Sequence, residues 1–246
     1  MRAAALALVL TAGAAQADCR QALAIGLDVS GSVDAVEYRL QIDGLAGALS
    51  HPEVRAALLQ MPNAPVALAV YEWSGAADHR LVLPWTAIDG PATLAAVAAR
   101  LRGTARAEAS RTTAIGAALM RGAALLAERP ECWRHTLDLT GDGKSNEGPR
   151  PREVPGGAET VNALVIGIDS ARRMDHAEAD LAELTAYFHA EVIRGPEAFV
   201  ETAVGFSDFE AAMVRKLLRE LQTVAVGALE GRGAGRAPGA PHIVPR

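Results

Sequence analysis

The sequence predicts an α/β domain: a doubly wound, mostly parallel central sheet with helices on both faces and one antiparallel edge strand. Three observations lead there. Short, nearly continuous apolar runs such as Ala22-Leu23-Ala24-Ile25-Gly26-Leu27 have the composition of strands buried on both faces. Such runs alternate with longer stretches of helical repeat, the order that places helices on both sides of a parallel sheet. Finally, Val66 to Trp73 and Arg80 to Trp85 are separated by the turn Ser74-Gly75-Ala76-Ala77, which reads as a hairpin at a sheet edge.

The elements follow in order. The first strand covers Ala22 to Val29. A helix from Asp34 to Leu49 places Val36, Leu40, Leu45 and Leu49 at helical spacings, and Pro52 opens a short second piece, Glu53 to Gln60. After the hairpin, Pro91 starts a helix through Arg102. A polar loop, Gly103 to Arg111, leads to Thr112-Thr113 and a long helix from Ala114 to Glu128, broken by Pro130. The strand Thr136 to Thr140 ends in Gly141-Asp142-Gly143. Lys144 to Gly157 carries Pro149, Pro151 and Pro155 and has room for at most one short helix. A strand from Val161 to Ile168, a helix from Ala177 to Ala190, a strand near Phe199 to Val204 and a helix from Phe206 to Val224 complete the domain, which spans residues 20–224. The Gly/Ala/Arg/Pro-rich composition beyond it predicts a disordered tail over 225–246.

The 246 residues are half apolar, ample for one packed core, and the net charge of −5 is spread along the chain. No basic stripe interleaved with aromatics appears, so no nucleic-acid partner is expected. Residues 1–17 combine Arg2, the apolar run Ala3 to Leu10 and Ala15-Gln16-Ala17, the pattern of a secretory signal peptide; the plainer reading is an ordinary helix. Asp18 is a poor match to the small residue a lipoprotein anchor at Cys19 needs, which favours simple export to the periplasm or the medium. No other apolar run is long enough to span a bilayer.

Cys19 and Cys132 are the two cysteines, each just ahead of an expected strand. In an oxidising compartment they are expected to form a disulfide, joining the amino ends of neighbouring parallel strands; the alternative is two separate buried thiols.

Chemistry concentrates at the carboxyl ends of the strands, where ligands bind in sheets of this type. Asp28-Val29-Ser30-Gly31-Ser32 places one carboxylate and two hydroxyls at alternate positions on the turn after the first strand. Asp142 follows the strand at 136–140, and Thr112 and Thr113 precede a helix whose amino end faces the same rim. Such an oxygen set suits a hard divalent cation such as Mg²⁺, with Mn²⁺ or Ca²⁺ as alternatives. Read singly, Asp28, Ser30, Ser32 and the threonines are also ordinary helix-capping residues.

Other chemistry finds less support. Gly143-Lys144-Ser145 is not a phosphate loop, because Asp138 stands where the first glycine belongs. Position 30 lacks the second aspartate of a haloacid-dehalogenase-type phosphatase, and the six histidines show no ligand spacing. No G-x-S-x-G elbow or Cys/His pairing stands out.

The constellation Asp28-x-Ser30-x-Ser32, Thr112 four residues before Gly116, and Thr140-Gly141-Asp142-Gly143 resembles the von Willebrand factor type A domain and its metal-ion-dependent adhesion site. Tyr71-Glu72-Trp73-Ser74-Gly75, Pro84-Trp85-Thr86, Cys132-Trp133-Arg134 and Gly141-Asp142-Gly143-x-Ser145-Asn146 are similar to an exported bacterial branch of that fold, the DUF1194 family. The resemblance implies that Ser30, Ser32 and Thr112 ligate the metal through hydroxyls, with Asp28 and Asp142 supplying carboxylates partly through water. It further implies a non-enzymatic binding module whose cation receives a carboxylate from a protein partner. The short, proline-rich crossover after Asp142 departs from the family pattern, which places a full helix there, and predicts an exposed groove.

Glu72 and Trp73 end a strand at the expected metal rim and are candidate borders of the ligand face; otherwise Trp73 and Trp85 pack across the hairpin. A metal-dependent hydrolase on the same oxygen cluster is the rival reading, with Glu72 or Glu147 as its base. A third reading makes the metal purely structural.

Overall fold

The computed structural model describes residues 19–167 and 174–230. Its sheet has six strands in the order β3-β2-β1-β4-β5-β6. These are β1 (Gln21–Asp28), β2 (Val66–Trp73), β3 (His79–Ile88), β4 (His135–Gly141), β5 (Thr160–Ile166) and β6 (Val200–Ala203). Only the β2–β3 pair is antiparallel, as the hairpin predicts. β1 and β2 are buried at every position, because helices cover both faces of the sheet; that is why they read as unbroken apolar runs. The chain winds outward from β1 to β2 and then restarts at β4 on the other side of β1. The order reverses between β1 and β4, and Asp28 and Asp142 lie at that switch point.

Helices α1 (Ala35–Ser50), α2 (Pro52–Leu58), α3 (Pro91–Arg102) and α6 (Phe209–Glu230) pack on one face, while α4 (Ile115–Ala127) and α5 (Met174–Glu191) cover the other. Asp34 caps α1, accepting from the Val36 and Glu37 amides at 2.7 and 2.9 Å while the Glu37 carboxylate closes the capping box. The buried face of α1 differs from the sequence expectation. Leu45 and Leu49 are buried as expected, but Val36 and Leu40 are 68% and 41% exposed, and Tyr38, Gln41 and Ile42 point inward in their place. Polar partners explain the rotation: the Tyr38 hydroxyl donates to Glu72 Oε1 at 2.7 Å, and Gln41 bonds both Thr140 and the Asp28 carbonyl.

Cys19 and Cys132 form a disulfide that joins the chain just before β1 to the chain just before β4. Next to it, buried Arg20 donates to the Ala57 and Leu58 carbonyls and so satisfies the carboxyl end of α2. The β4–β5 crossover carries only a 3₁₀ turn, Pro151–Glu153. It lies directly on α4: a Cβ at Gly116 would stand 2.1 Å from the Pro149 carbonyl oxygen.

The hairpin register corrects one expectation. Trp73 pairs with His79, while Trp85 falls six residues further along β3, opposite the irregularity at Leu68–Val70, so the two indoles are not cross-strand partners. Both belong to the same apolar cluster, with Trp73 fully buried and Trp85 packed against its margin. α6 runs to Glu230, six residues beyond the expected domain end at 224; the remainder of the tail and the signal-peptide segment 1–17 lie outside the described residues.

Candidate metal centre

Hydrogen bonds between three elements fix the end of β1. The Asp28 amide donates to Thr140 Oγ1 at 3.1 Å, Thr140 Oγ1 donates to Gln41 Oε1 at 2.8 Å, and Gln41 Nε2 donates to the Asp28 carbonyl at 2.8 Å. The next turn folds back on itself: the Ser30 amide donates to Asp28 Oδ1 at 2.8 Å. Gly31 then passes so close to the 103–114 loop that an added Cβ would stand 2.9 Å from Arg111 Cα and Cβ, and its amide donates to the Arg111 carbonyl. Only glycine permits that approach.

The side chains converge as a result. Ser30 Oγ and Ser32 Oγ are 3.3 Å apart, and Ser32 Oγ donates to Asp142 Oδ1 at 2.8 Å. From the third loop the hydroxyl that arrives belongs to Thr113, which donates to Ser30 Oγ at 3.3 Å and is almost fully buried. The Thr112 hydroxyl points elsewhere, bonding Glu147 Oε2 at 2.5 Å and Ser110 Oγ at 2.7 Å. Neither threonine caps α4, whose N-cap residue is Ala114. Instead the 145–147 segment laces onto this loop. Asn146 Oδ1 accepts from the Thr113 amide at 2.9 Å, and Ser145 Oγ takes the Ile115 amide at 3.2 Å. Ser145 and Asn146 thus position Thr113, a role the sequence reading did not assign them.

The electrostatics of the cluster favour a cation. Asp28 is fully buried, and its Oδ2 has no hydrogen-bond partner. Burial, then the nearby Asp142 charge, pushes the Asp28 carboxyl up to about 7, partly offset by the Ser30 bonds. Burial likewise raises Asp142, against the pull of its bond from Ser32. Two desolvated carboxylates, an orphaned oxygen and three hydroxyls fit a hard divalent ion, with Asp28, Ser30, Ser32, Thr113 and Asp142 as the oxygen donors. No group of three or more His, Cys, Asp or Glu side chains suited to a metal occurs among the described residues, and three of the five side chains in this cluster are hydroxyls.

The two candidate rim residues are otherwise engaged. Glu72 is buried, accepting from Tyr38 and from Arg80 Nε at 2.7 Å each, and it lines a cleft of about 190 Å³ with Val29, His79 and Glu108. Trp73 is wholly enclosed in the core and borders no open surface, because its side chain lies on the α4 side of the sheet. Glu147 accepts from Thr112 and from the Ala76 amide at 3.1 Å.

Comparison with known proteins places the architecture. The fold is that of the von Willebrand factor type A domains. The chain belongs to the family described as "Protein of unknown function (DUF1194)", whose model matches residues 18–225. No match is found among curated proteins. Among solved structures the chain is similar to proximal thread matrix protein 1 from the mussel byssus, at 17% identity and a TM-score of 0.55, covering 83% of this chain and 49% of that one. A structure of that protein with a zinc-occupied metal-ion-dependent adhesion site motif aligns at 14% identity and a TM-score of 0.54, over 83% of this chain and 46% of that one. The pilus adhesin SpaC from Lactobacillus rhamnosus GG aligns at 13% identity and a TM-score of 0.54, over 85% of this chain and 31% of that one. The chain therefore spans half or less of these relatives, and at such identities they share its fold.

Proposed function

We propose that this chain is an exported, non-enzymatic binding module that holds a divalent cation, Mg²⁺ by donor chemistry, and uses it to grip a carboxylate on a protein partner. The observation that carries this reading is the buried, unpartnered Asp28 Oδ2 facing a second buried carboxylate within a ring of hydroxyls. Asp28, Ser30, Ser32, Thr113 and Asp142 would hold the ion, with Thr113 in the role the resemblance gave to Thr112. Two carboxylates balance the ion's charge without exceeding it, and the neutral hydroxyl donors leave it electrophilic enough to take an acidic side chain at an open position. The chain's own residues do the positioning: Gly31 brings the first loop against the second, and Ser145 and Asn146 hold Thr113 toward Ser30. The likeness to a pilus adhesin and to a byssus protein with a zinc-occupied site motif supports an adhesive role. The disulfide supports an oxidising compartment, periplasm or medium. A hydrolase would need Glu72 or Glu147 as base, and both carboxylates are held by internal partners.

Calorimetric titration of Mg²⁺ and Mn²⁺ into the wild type and Asp28→Ala tests the proposal. Saturable binding lost in the variant, followed by metal-dependent capture of a partner, is the expected result. Absent binding, or binding untouched by Asp28→Ala, overturns the metal reading. A metal that alters stability without altering association overturns the adhesive one.

A further inference from the structure

The amino ends of the central strands carry a second polar site, roughly 23 Å from the metal cluster along β1. On the face toward α6, β1 contributes Gln21, β4 contributes Thr136 and Asp138, and β5 contributes Asn162. α6 sends Lys216 and Glu220 down onto them, and all six are buried. Above this floor lies a cleft of about 380 Å³, within the size range of small-molecule sites, lined toward solvent by Arg134, Glu197 and Arg219 and by the buried Phe199 ring beneath Arg219.

The floor is richly bonded and yet incomplete. Asn162 Nδ2 and Lys216 Nζ both donate to Glu220 Oε1 at 2.6 Å, Lys216 also pairs with Asp138, and Gln21 Nε2 donates to Thr136 Oγ1 at 2.9 Å. Two acceptors that line the cleft, Gln21 Oε1 and Glu220 Oε2, are buried without a donor. Buried acceptors of this kind are normally satisfied, so these two mark places for donors. Charge points the same way, because Asp138 and Glu220 face a single ammonium on Lys216. Burial and then Asp138 push Glu220 up to about 8, so the floor favours taking on a proton or another positive group. The mouth has the opposite character. Arg134 reaches Glu197 only at 3.7 Å, and the Arg219 guanidinium lies 3.9 Å over the Phe199 ring. A simple cation would meet two guanidinium groups on entry, and a simple anion would meet an acidic floor.

We propose that this cleft binds a small zwitterion of the amino-acid type, its ammonium donating to Glu220 Oε2 and Gln21 Oε1 and its carboxylate meeting Arg134. The site is independent of the metal reading, since the two share no residue.

The test screens each common amino acid by thermal shift and follows hits by calorimetry, on the wild type, Glu220→Gln and Arg134→Ala. Methylammonium and acetate serve as half-ligands. At least one amino acid should saturate with a Kd of about 1 mM or tighter, weakened about tenfold or more in both variants, with the half-ligands weaker still. Circular dichroism shows whether Glu220→Gln folds; if it does not, Arg134→Ala, altered at the exposed mouth, decides alone. No saturation by any amino acid up to about 10 mM overturns the proposal, leaving water as the occupant of the cleft. So does binding that Arg134→Ala leaves unchanged.

Discussion

Replacing Cys19 and Cys132 together by alanine opens a loop of 113 residues, and its effect on stability follows from that length. In the chain-entropy account, closing a loop of that size removes roughly 16 cal/mol/K from the unfolded ensemble, or about 4.8 kcal/mol at room temperature. Measured disulfides commonly deliver less, so a loss of about 2–5 kcal/mol is expected. For a domain of this size that lowers Tm by about 5–20 °C. Both sulfurs are buried, so alanine also removes a little packing. Comparing the variant with wild type melted in reductant separates the two effects, because reduction leaves the sulfur atoms in place. Calorimetric melting of all three samples is the assay. A drop below about 3 °C in both the variant and the reduced wild type would refute the reasoning, showing that the unfolded chain is not appreciably constrained by this link.

Three further outcomes are expected. Thr113→Val weakens Mg²⁺ binding by about tenfold or more, while Thr112→Val stays within about twofold, as read by calorimetry; equal losses would return Thr112 to the site. Gly31→Ala forces a Cβ against the Arg111 backbone and costs about 1–3 kcal/mol in urea unfolding, or else displaces the loop and lowers metal affinity with it. Glu220 faces Lys216 on its own helix and Asp138 from β4, with Arg219 beside it in sequence, and its folded pKa of about 8 lies above the unfolded value. The folded state therefore binds the extra proton, and the stability this group contributes is full below the unfolded pKa and is lost as pH rises toward 8. Urea midpoints at pH 5, 7 and 9 should fall less steeply in Glu220→Gln than in wild type.

Most of the fold was legible because the sheet is covered on both sides. That burial turns β1 and β2 into unbroken apolar runs, and the turn between 73 and 79 fixes the single antiparallel pair. The inward face of α1 was not legible, since Tyr38 and Gln41 are buried through hydrogen bonds to residues far away in sequence, which hydrophobic spacing does not record. The candidate site shows the same boundary. Asp28, Ser30, Ser32 and Asp142 could be picked out because they stand at strand ends. Which of adjacent Thr112 and Thr113 turns its hydroxyl toward Ser30 depends on which side of an irregular loop faces inward, and the bond that holds the Thr113 amide comes from Asn146, 33 residues away. Asp138 did carry a signal: a charge within Thr136-Leu137-Asp138-Leu139-Thr140, inside a central strand, demands a buried partner, and Lys216 is it.

The sheet order has a consequence for how the chain comes to be folded. β1 is the first strand in sequence but lies at the middle of the sheet, and its two neighbours are β2, which arrives early, and β4, which arrives more than a hundred residues later. As the polypeptide emerges in order, the first half can assemble β1, β2 and β3 but leaves the other side of β1 as an open edge, apolar from Ala22 to Leu27. Such an edge invites pairing with other chains. The nascent protein therefore has a vulnerable interval that ends only when β4 docks, and a carrier that shields the segment around residues 21–28 until then would raise the yield of folded protein.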